Sequence, residues 1–141
     1  MGQDEKYIFT HSHSYTANPL ACAAALTSLE LLQRKKTQDA MASIHSAHIK
    51  GLEYLKINCK HVDCFRVSGT ISAFSIKNII PESLKAKFLN EGLLLRPIGK
   101  TIYILPPYVI TNEEIDGVYK KISSIINNFF ETKISSPANT Y

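Results

Sequence analysis

The clearest periodic pattern lies near the end of the chain, where apolar residues recur at steps of three and four. They are Ile115, Val118, Ile122, Ile125 and Phe129. This spacing places them on one face of a helix. Thr111 and Glu114 have the form of a capping box, in which each side chain satisfies a backbone N–H at the start of a helix. The pattern predicts an amphipathic helix that begins there and ends near Lys133.

Two more helices are predicted in the first half of the chain. Residues 20–33 are dominated by Ala and Leu, and they follow Asn18, a good N-cap, and Pro19, which suits a first turn. A second helix is predicted from about Asp39 to Leu55, because apolar residues again recur at steps of three and four.

His45 and His48 lie one turn apart on this second helix, so they could share a ligand. Two histidines alone make a poor metal site, because zinc sites usually hold three or four protein ligands. A surface or half-buried role is the favoured interpretation, and no metal is predicted.

The middle of the chain changes to a strand pattern. Residues 64–67 and 70–76 are predicted as two strands around Gly69. A short helix is expected from Pro81 through Leu89.

A hairpin is predicted next, with residues 93–97 paired to residues 101–105. The resulting order, αα-ββ-α-ββ-α, indicates an α+β fold in which helices pack against a small sheet.

Composition narrows the class of protein. The chain has 141 residues, of which 45% are hydrophobic and 20% charged, so a folded domain is expected rather than disorder. Lys and Arg exceed Asp and Glu by 16 to 12, but the basic residues are scattered, which argues against nucleic acid as a partner. No apolar run is long enough to span a membrane. Three cysteines without a C-x-x-C pattern favour a reduced, cytoplasmic location.

Residues 11–19, HSHSYTANP, are the first candidate site. Hydroxyls and backbone N–H groups gather just before a helix N-terminus, where both the free N–H groups and the helix dipole favour an anion such as phosphate. An ordinary capped loop accounts for the same residues. A metal at His11 and His13 is the least favoured interpretation, since no Cys or carboxylate is close in sequence.

Arg96 is the second candidate, because it follows three leucines and precedes Pro97. A guanidinium there either lies at the surface or presents its planar fork to a carboxylate in a pocket. Tyr103 and Tyr108 flank the predicted hairpin and could form a pocket wall, although core packing explains them equally well.

Two segments resemble the class III aminotransferases, which use pyridoxal 5′-phosphate. They are H-S-H-S-Y-T-A-N-P-L-A-C-A-A-A at residues 11–25 and L-L-L-R-P-I-G-K-T-I-Y-I-L-P-P-Y at residues 93–108. The second segment is most similar to the members of biotin biosynthesis, which move an amino group from S-adenosylmethionine to 8-amino-7-oxononanoate. The resemblance covers nearly the whole chain. It implies the C-terminal small domain of a fold-type I transferase that is a homodimer at full length.

The resemblance also implies residue roles. His13 and Ser14 would contact the cofactor phosphate, Ser12 would lie against the substrate, and Arg96 would bind the substrate carboxylate. Ser12 departs from the family's usual glycine and adds a side chain where substrate approaches the backbone. The lysine that holds the cofactor lies upstream of the first motif in this family, so no catalytic residue is expected in this chain.

The domain boundaries expected from the resemblance follow the two motifs. Residues 1–18 would end the large cofactor-binding domain and include its phosphate loop, and residues 19–36 would form an interdomain helix. The small domain would span residues 37–134, with a tail at 135–141. The chain alone is expected to be inactive.

Two alternatives remain open. One is a fragment of another class III enzyme, of the ornithine, acetylornithine or γ-aminobutyrate type. The other is a non-catalytic interaction module that uses the helices beginning at Leu20 and near Ile115 as partner surfaces.

Overall fold

A computed structural model describes residues 14–77 and 80–134 of the chain. Its contacts divide the chain into two compact units, Met1–Lys35 and Lys36–Tyr141. Across the described residues, none of the helices combines the length and the hydropathy that a membrane crossing needs.

The first unit contributes one described helix, α1, which spans Pro19–Gln33. It begins as the sequence predicts, because the Asn18 side chain accepts a hydrogen bond from the Ala21 N–H at 3.1 Å and Pro19 opens the helix. No residue of α1 is buried.

The second unit holds the remaining elements, except for the first residue of α2. In chain order they are α2 (Lys35–Asn58), β1 (Val62–Ser68), β2 (Ile71–Ile76), α3 (Glu82–Asn90), β3 (Thr101–Ile104) and α4 (Asn112–Ile134). The α+β class is confirmed, with the strands in the order β1-β2-β3 and both pairings antiparallel. Helix α2 is longer than predicted, since it begins at Lys35 rather than near residue 39.

The predicted bend at Gly69 is present, as part of a two-residue turn that joins β1 to β2. Ser68 pairs with Ile71, and Gly69, the first turn residue, has a φ of 56°. Glycine adopts this left-handed conformation without the steric cost that a Cβ brings, and it is favoured at this position of hairpin turns. Along β2 the buried side chains alternate, at Ser72, Phe74 and Ile76.

The predicted hairpin of residues 93–97 with residues 101–105 is wrong. β3 is a strand, but it pairs with β2, and residues 93–97 form no strand. Pro97 has no N–H to donate to a ladder, and the Leu93 N–H is already bonded to the Phe88 carbonyl at 2.8 Å. Within the predicted hairpin, an isolated antiparallel β-bridge pairs Ile98 with Thr101.

One hydrophobic core lies in the second unit and receives side chains from every helix and strand of it. Its largest fully buried members include Leu55, Phe74, Phe88 and Ile122. The apolar face predicted for the last helix is inside this core. That face therefore cannot be the partner surface that an interaction module would need.

Candidate functional site

Ser14 lies at the start of an exposed turn that leads into α1. Ala17, within this turn, has a φ of 60°, and the Asn18 N–H closes the turn by donating to the Tyr15 carbonyl at 3.2 Å. The chain thus presents a hydroxyl close in sequence to a helix N-terminus, which is donor chemistry that fits a phosphate. Ser12, His13 and His11 lie outside the described residues.

Arg96 is exposed and lies on an extended loop with fixed ends. On one side, the Leu95 N–H donates to the Leu93 carbonyl at 2.9 Å, and the half-buried Leu95 side chain packs against the core. On the other side, Ile98 and Thr101 exchange two backbone hydrogen bonds, of 2.8 and 3.0 Å. These contacts hold the backbone on both sides of Arg96, although its side chain reaches into solvent.

A hollow of about 430 Å³ opens beside Arg96. Its walls include Leu94, Tyr103, Leu105 and Pro107, and among the described residues that line it Arg96 is the only charged one. Leu94 and Leu105 remain largely exposed in this chain. A guanidinium at the side of an apolar hollow suits an acid whose carboxylate is attached to an aliphatic chain.

Ser14 belongs to the unit Met1–Lys35, and Arg96 belongs to the unit Lys36–Tyr141. Of the predicted pocket-wall tyrosines, Tyr103 lines the Arg96 hollow. Tyr108 is 38% exposed on the loop that follows β3.

His48 is not at the surface or half-buried, as the sequence suggested, but fully buried. Its Nδ1 lies 2.9 Å from the Tyr119 hydroxyl and its Nε2 lies 3.1 Å from the Thr70 carbonyl oxygen. The Tyr119 hydroxyl also contacts Ser72 Oγ at 2.6 Å. Burial lowers the pKa of His48 and raises the pKa of Tyr119 to about 12, so both side chains are neutral at pH 7.

His45, one turn earlier, bonds through Nδ1 to the Gly69 carbonyl oxygen at 2.9 Å. Both histidines therefore bind backbone oxygens rather than a common ligand. Within residues 14–77 and 80–134, no group of three or more side chains is arranged to hold a metal ion.

The hydrogen bonds of Tyr119 and Ser72 were not predicted from the sequence. Tyr119 follows Ile115 by four residues and so lies on the predicted apolar face, where a buried hydroxyl requires a hydrogen-bond partner. That requirement was the available signal, although it does not identify the partner.

A protein-family model, aminotransferase class III, matches residues 3–126. The chain belongs to the class III aminotransferase family. It is 38% identical over 128 residues to the adenosylmethionine-8-amino-7-oxononanoate aminotransferase of Synechococcus elongatus, covering 86% of this chain and 30% of that protein. It is 35% identical over 131 residues to the enzyme of the same name from Helicobacter pylori, covering 88% of this chain and 30% of that protein.

Solved structures agree with this assignment. The adenosylmethionine-8-amino-7-oxononanoate aminotransferase of Methanocaldococcus jannaschii superposes with a TM-score of 0.74 at 27% identity, over 91% of this chain and 32% of that chain. The acetylornithine aminotransferase of Elizabethkingia anophelis gives a TM-score of 0.73 at 27% identity, over 84% and 31%. The fold is thus that of part of a class III aminotransferase, and the chain spans about a third of the length of these relatives.

Proposed function

We propose that this chain is the C-terminal portion of a pyridoxal-phosphate-dependent enzyme that transfers an amino group from S-adenosylmethionine to 8-amino-7-oxononanoate in biotin biosynthesis. The observation that carries the proposal is Arg96 beside its apolar hollow, within a chain whose relatives carry this enzyme's name. The product would be 7,8-diaminononanoate. The upstream portion of the enzyme would supply the lysine that holds the cofactor. This chain alone is therefore not expected to convert substrate to product.

Ser14 is proposed to bind the cofactor phosphate, with His13 contributing to the same site. An exposed hydroxyl close to the N-terminus of α1 can donate to a phosphate oxygen, and the helix dipole adds favourable electrostatics. Pyridoxal phosphate, when bound, supplies the electron sink for the transfer. The part of Ser14 is to hold the phosphate end of the cofactor in place.

Arg96 is proposed to bind the carboxylate of 8-amino-7-oxononanoate. The substrate is a long aliphatic acid, so its chain would contact apolar walls such as Leu94 and Leu105 while its carboxylate meets the guanidinium. Ser12 is proposed to lie against the substrate where the family usually has glycine. These contacts bind and orient the acceptor, and the group transfer takes place elsewhere in the enzyme.

The remaining parts of the proposal concern assembly. Residues 1–18 would complete a large domain, residues 19–36 would form the helix between domains, residues 37–134 would form the small domain and residues 135–141 a tail. The complete enzyme would be a homodimer in the cytoplasm.

A chimera tests the proposal. This chain replaces the matching part of the Synechococcus elongatus relative, and formation of 7,8-diaminononanoate is measured. Arg96→Ala should raise the KM for 8-amino-7-oxononanoate about 10- to 100-fold, the cost of losing one charge-assisted contact. The absorbance change caused by S-adenosylmethionine alone should stay unchanged, because the donor reaction does not use Arg96.

Lys100→Ala is the matched control, because Lys100 is an exposed cation on the same loop and outside the hollow. It should leave both reactions unchanged. Equal losses in the two variants would contradict the role of Arg96. Activity with acetylornithine and none with 8-amino-7-oxononanoate would instead assign the chain to the group of the Elizabethkingia anophelis enzyme.

A further inference from the structure

Two histidines of α2 bond to consecutive carbonyls of the turn between β1 and β2. His45 Nδ1 lies 2.9 Å from the Gly69 oxygen, and His48 Nε2 lies 3.1 Å from the Thr70 oxygen. Gly69 and Thr70 are the two residues that the Ser68–Ile71 pair encloses. Both carbonyls of the turn are therefore fixed to one face of one helix.

Elementary chemistry sets the direction of each bond at His48. A carbonyl oxygen can only accept, so Nε2 carries the hydrogen that is donated to Thr70. In the neutral ring Nδ1 then has a lone pair and accepts from the Tyr119 hydroxyl. The Tyr119 oxygen in turn accepts from Ser72 Oγ. The hydrogen bonds run in one direction, from Ser72 to Thr70.

We propose that His48 is a pH-sensitive latch between the β1–β2 turn and α4, whose chain of hydrogen bonds from Ser72 to Thr70 is complete only while the ring is neutral and is broken at Ser72 when the ring takes a proton from solvent. The added proton would occupy Nδ1 and face the Tyr119 oxygen. Tyr119 would then have to donate to Ser72 Oγ, and the Ser72 hydrogen would lose its acceptor. Ser72 is fully buried, and an unpaired buried hydroxyl is costly.

On balance the surroundings of the ring oppose its protonation, because burial outweighs the hydrogen bond to the Thr70 carbonyl, which favours the protonated ring. His45 on the same helix adds positive charge when it is protonated, and Tyr119 of α4 is neutral. Ser72 of β2 and Thr70 of the turn carry no charge. Among the described residues, no carboxylate hydrogen-bonds to the ring.

The pKa of His48 determines the direction in which stability changes with pH. The folded pKa of His48 lies below its ordinary value of 6.5, with burial as the largest cause. The unfolded chain therefore binds the proton first as pH falls. The contribution of the latch is fully present above about pH 6.5 and is lost as pH falls from there towards the folded pKa.

The test uses the whole 141-residue chain. Ring ¹⁵N chemical shifts should report the Nε2–H form of His48 at pH 8 and a titration midpoint below 6.5, the ordinary value. Within that window the unfolding equilibrium constant should rise up to about tenfold for each pH unit of acidification.

His48→Gln and His45→Gln form a matched pair. Glutamine offers a donor and an acceptor but does not titrate. His48→Gln should therefore remove the part of the pH dependence of unfolding that comes from His48. His45→Gln should keep it, because His48 and its contacts with Tyr119 and Thr70 stay in place. An Nδ1–H form of His48, a midpoint at or above 6.5, or unchanged pH dependence in His48→Gln would overturn the proposal. Should His48→Gln fail to fold, the ring titration of the unaltered chain decides alone.

Discussion

Gly51 of α2 and Tyr119 of α4 lie in such close contact that no side chain fits at residue 51. A Cβ built on Gly51 would overlap the Tyr119 ring, whereas one built on Gly117 of α4 meets nothing within 4 Å. Glycine is a poor helix former, so its presence in the middle of α2 calls for a reason of this kind. The close approach also keeps the Tyr119 hydroxyl within reach of His48.

These two helical glycines give a matched pair of variants. Gly51→Ala should destabilise the fold by about 1–3 kcal/mol, because steric overlap with a buried ring outweighs the gain of about 1 kcal/mol in helix propensity. Gly117→Ala should stabilise it by up to about 1 kcal/mol. Urea denaturation of both variants measures the difference. Equal stabilisation by the two substitutions would contradict the close packing at residue 51.

At the level of residues, the sequence could identify Tyr119 as buried but not its partners. Its hydroxyl meets His48 and Ser72, which are 71 and 47 positions away in the chain. Local periodicity carries no information about contacts over such distances, because they depend on how α2, β2 and α4 pack. Arg96 was identified because a cation after three leucines is unusual within a short segment.

At the level of elements, the capping box of α4 is both predicted and observed. The Thr111 hydroxyl accepts from the Glu114 N–H at 3.2 Å, and Glu114 Oε2 accepts from the Thr111 N–H at 2.8 Å. Thr111→Ala should lower the free energy of unfolding by about 1 kcal/mol, as for other N-cap replacements. Thr111→Ser, which keeps the hydroxyl, should cost less than half as much in thermal denaturation. A similar cost for both would mean that the methyl group, and not the cap, stabilises this end.

The wrong prediction of a hairpin shows that the neighbour of a strand is harder to predict than the strand itself. Residues 93–97 have the apolar texture of a strand, yet the Leu93 N–H is used to end α3 at the Phe88 carbonyl. The better partner for β3 is β2, which places Ala73 opposite Tyr103 and Phe74 opposite Ile102. Sequence periodicity identifies a strand but does not choose between two possible neighbours. This pairing also places Tyr103 in the wall of the Arg96 hollow.

At the scale of the whole molecule, α1 differs from every other helix. It was predicted correctly from its Ala and Leu content and its cap, but none of its residues is buried. Leu20, Leu26 and Leu29 are 82%, 63% and 55% exposed. Soluble monomeric proteins rarely leave apolar side chains exposed in such groups. The composition of α1, with small side chains in its first half, predicts a helix that packs closely against another surface.

The exposed leucines of α1 predict that the isolated chain associates with itself. Sedimentation velocity should show species larger than the monomer that increase with protein concentration. Leu26→Gln with Leu29→Gln should shift the distribution towards monomer, because glutamine preserves helix propensity and removes apolar area. Val109→Gln is the control, since Val109 is 87% exposed on a loop outside α1 and should leave the distribution unchanged. A monomer at every concentration would show that these leucines are tolerated in water, and equal effects of the two replacements would mean that association does not depend on α1.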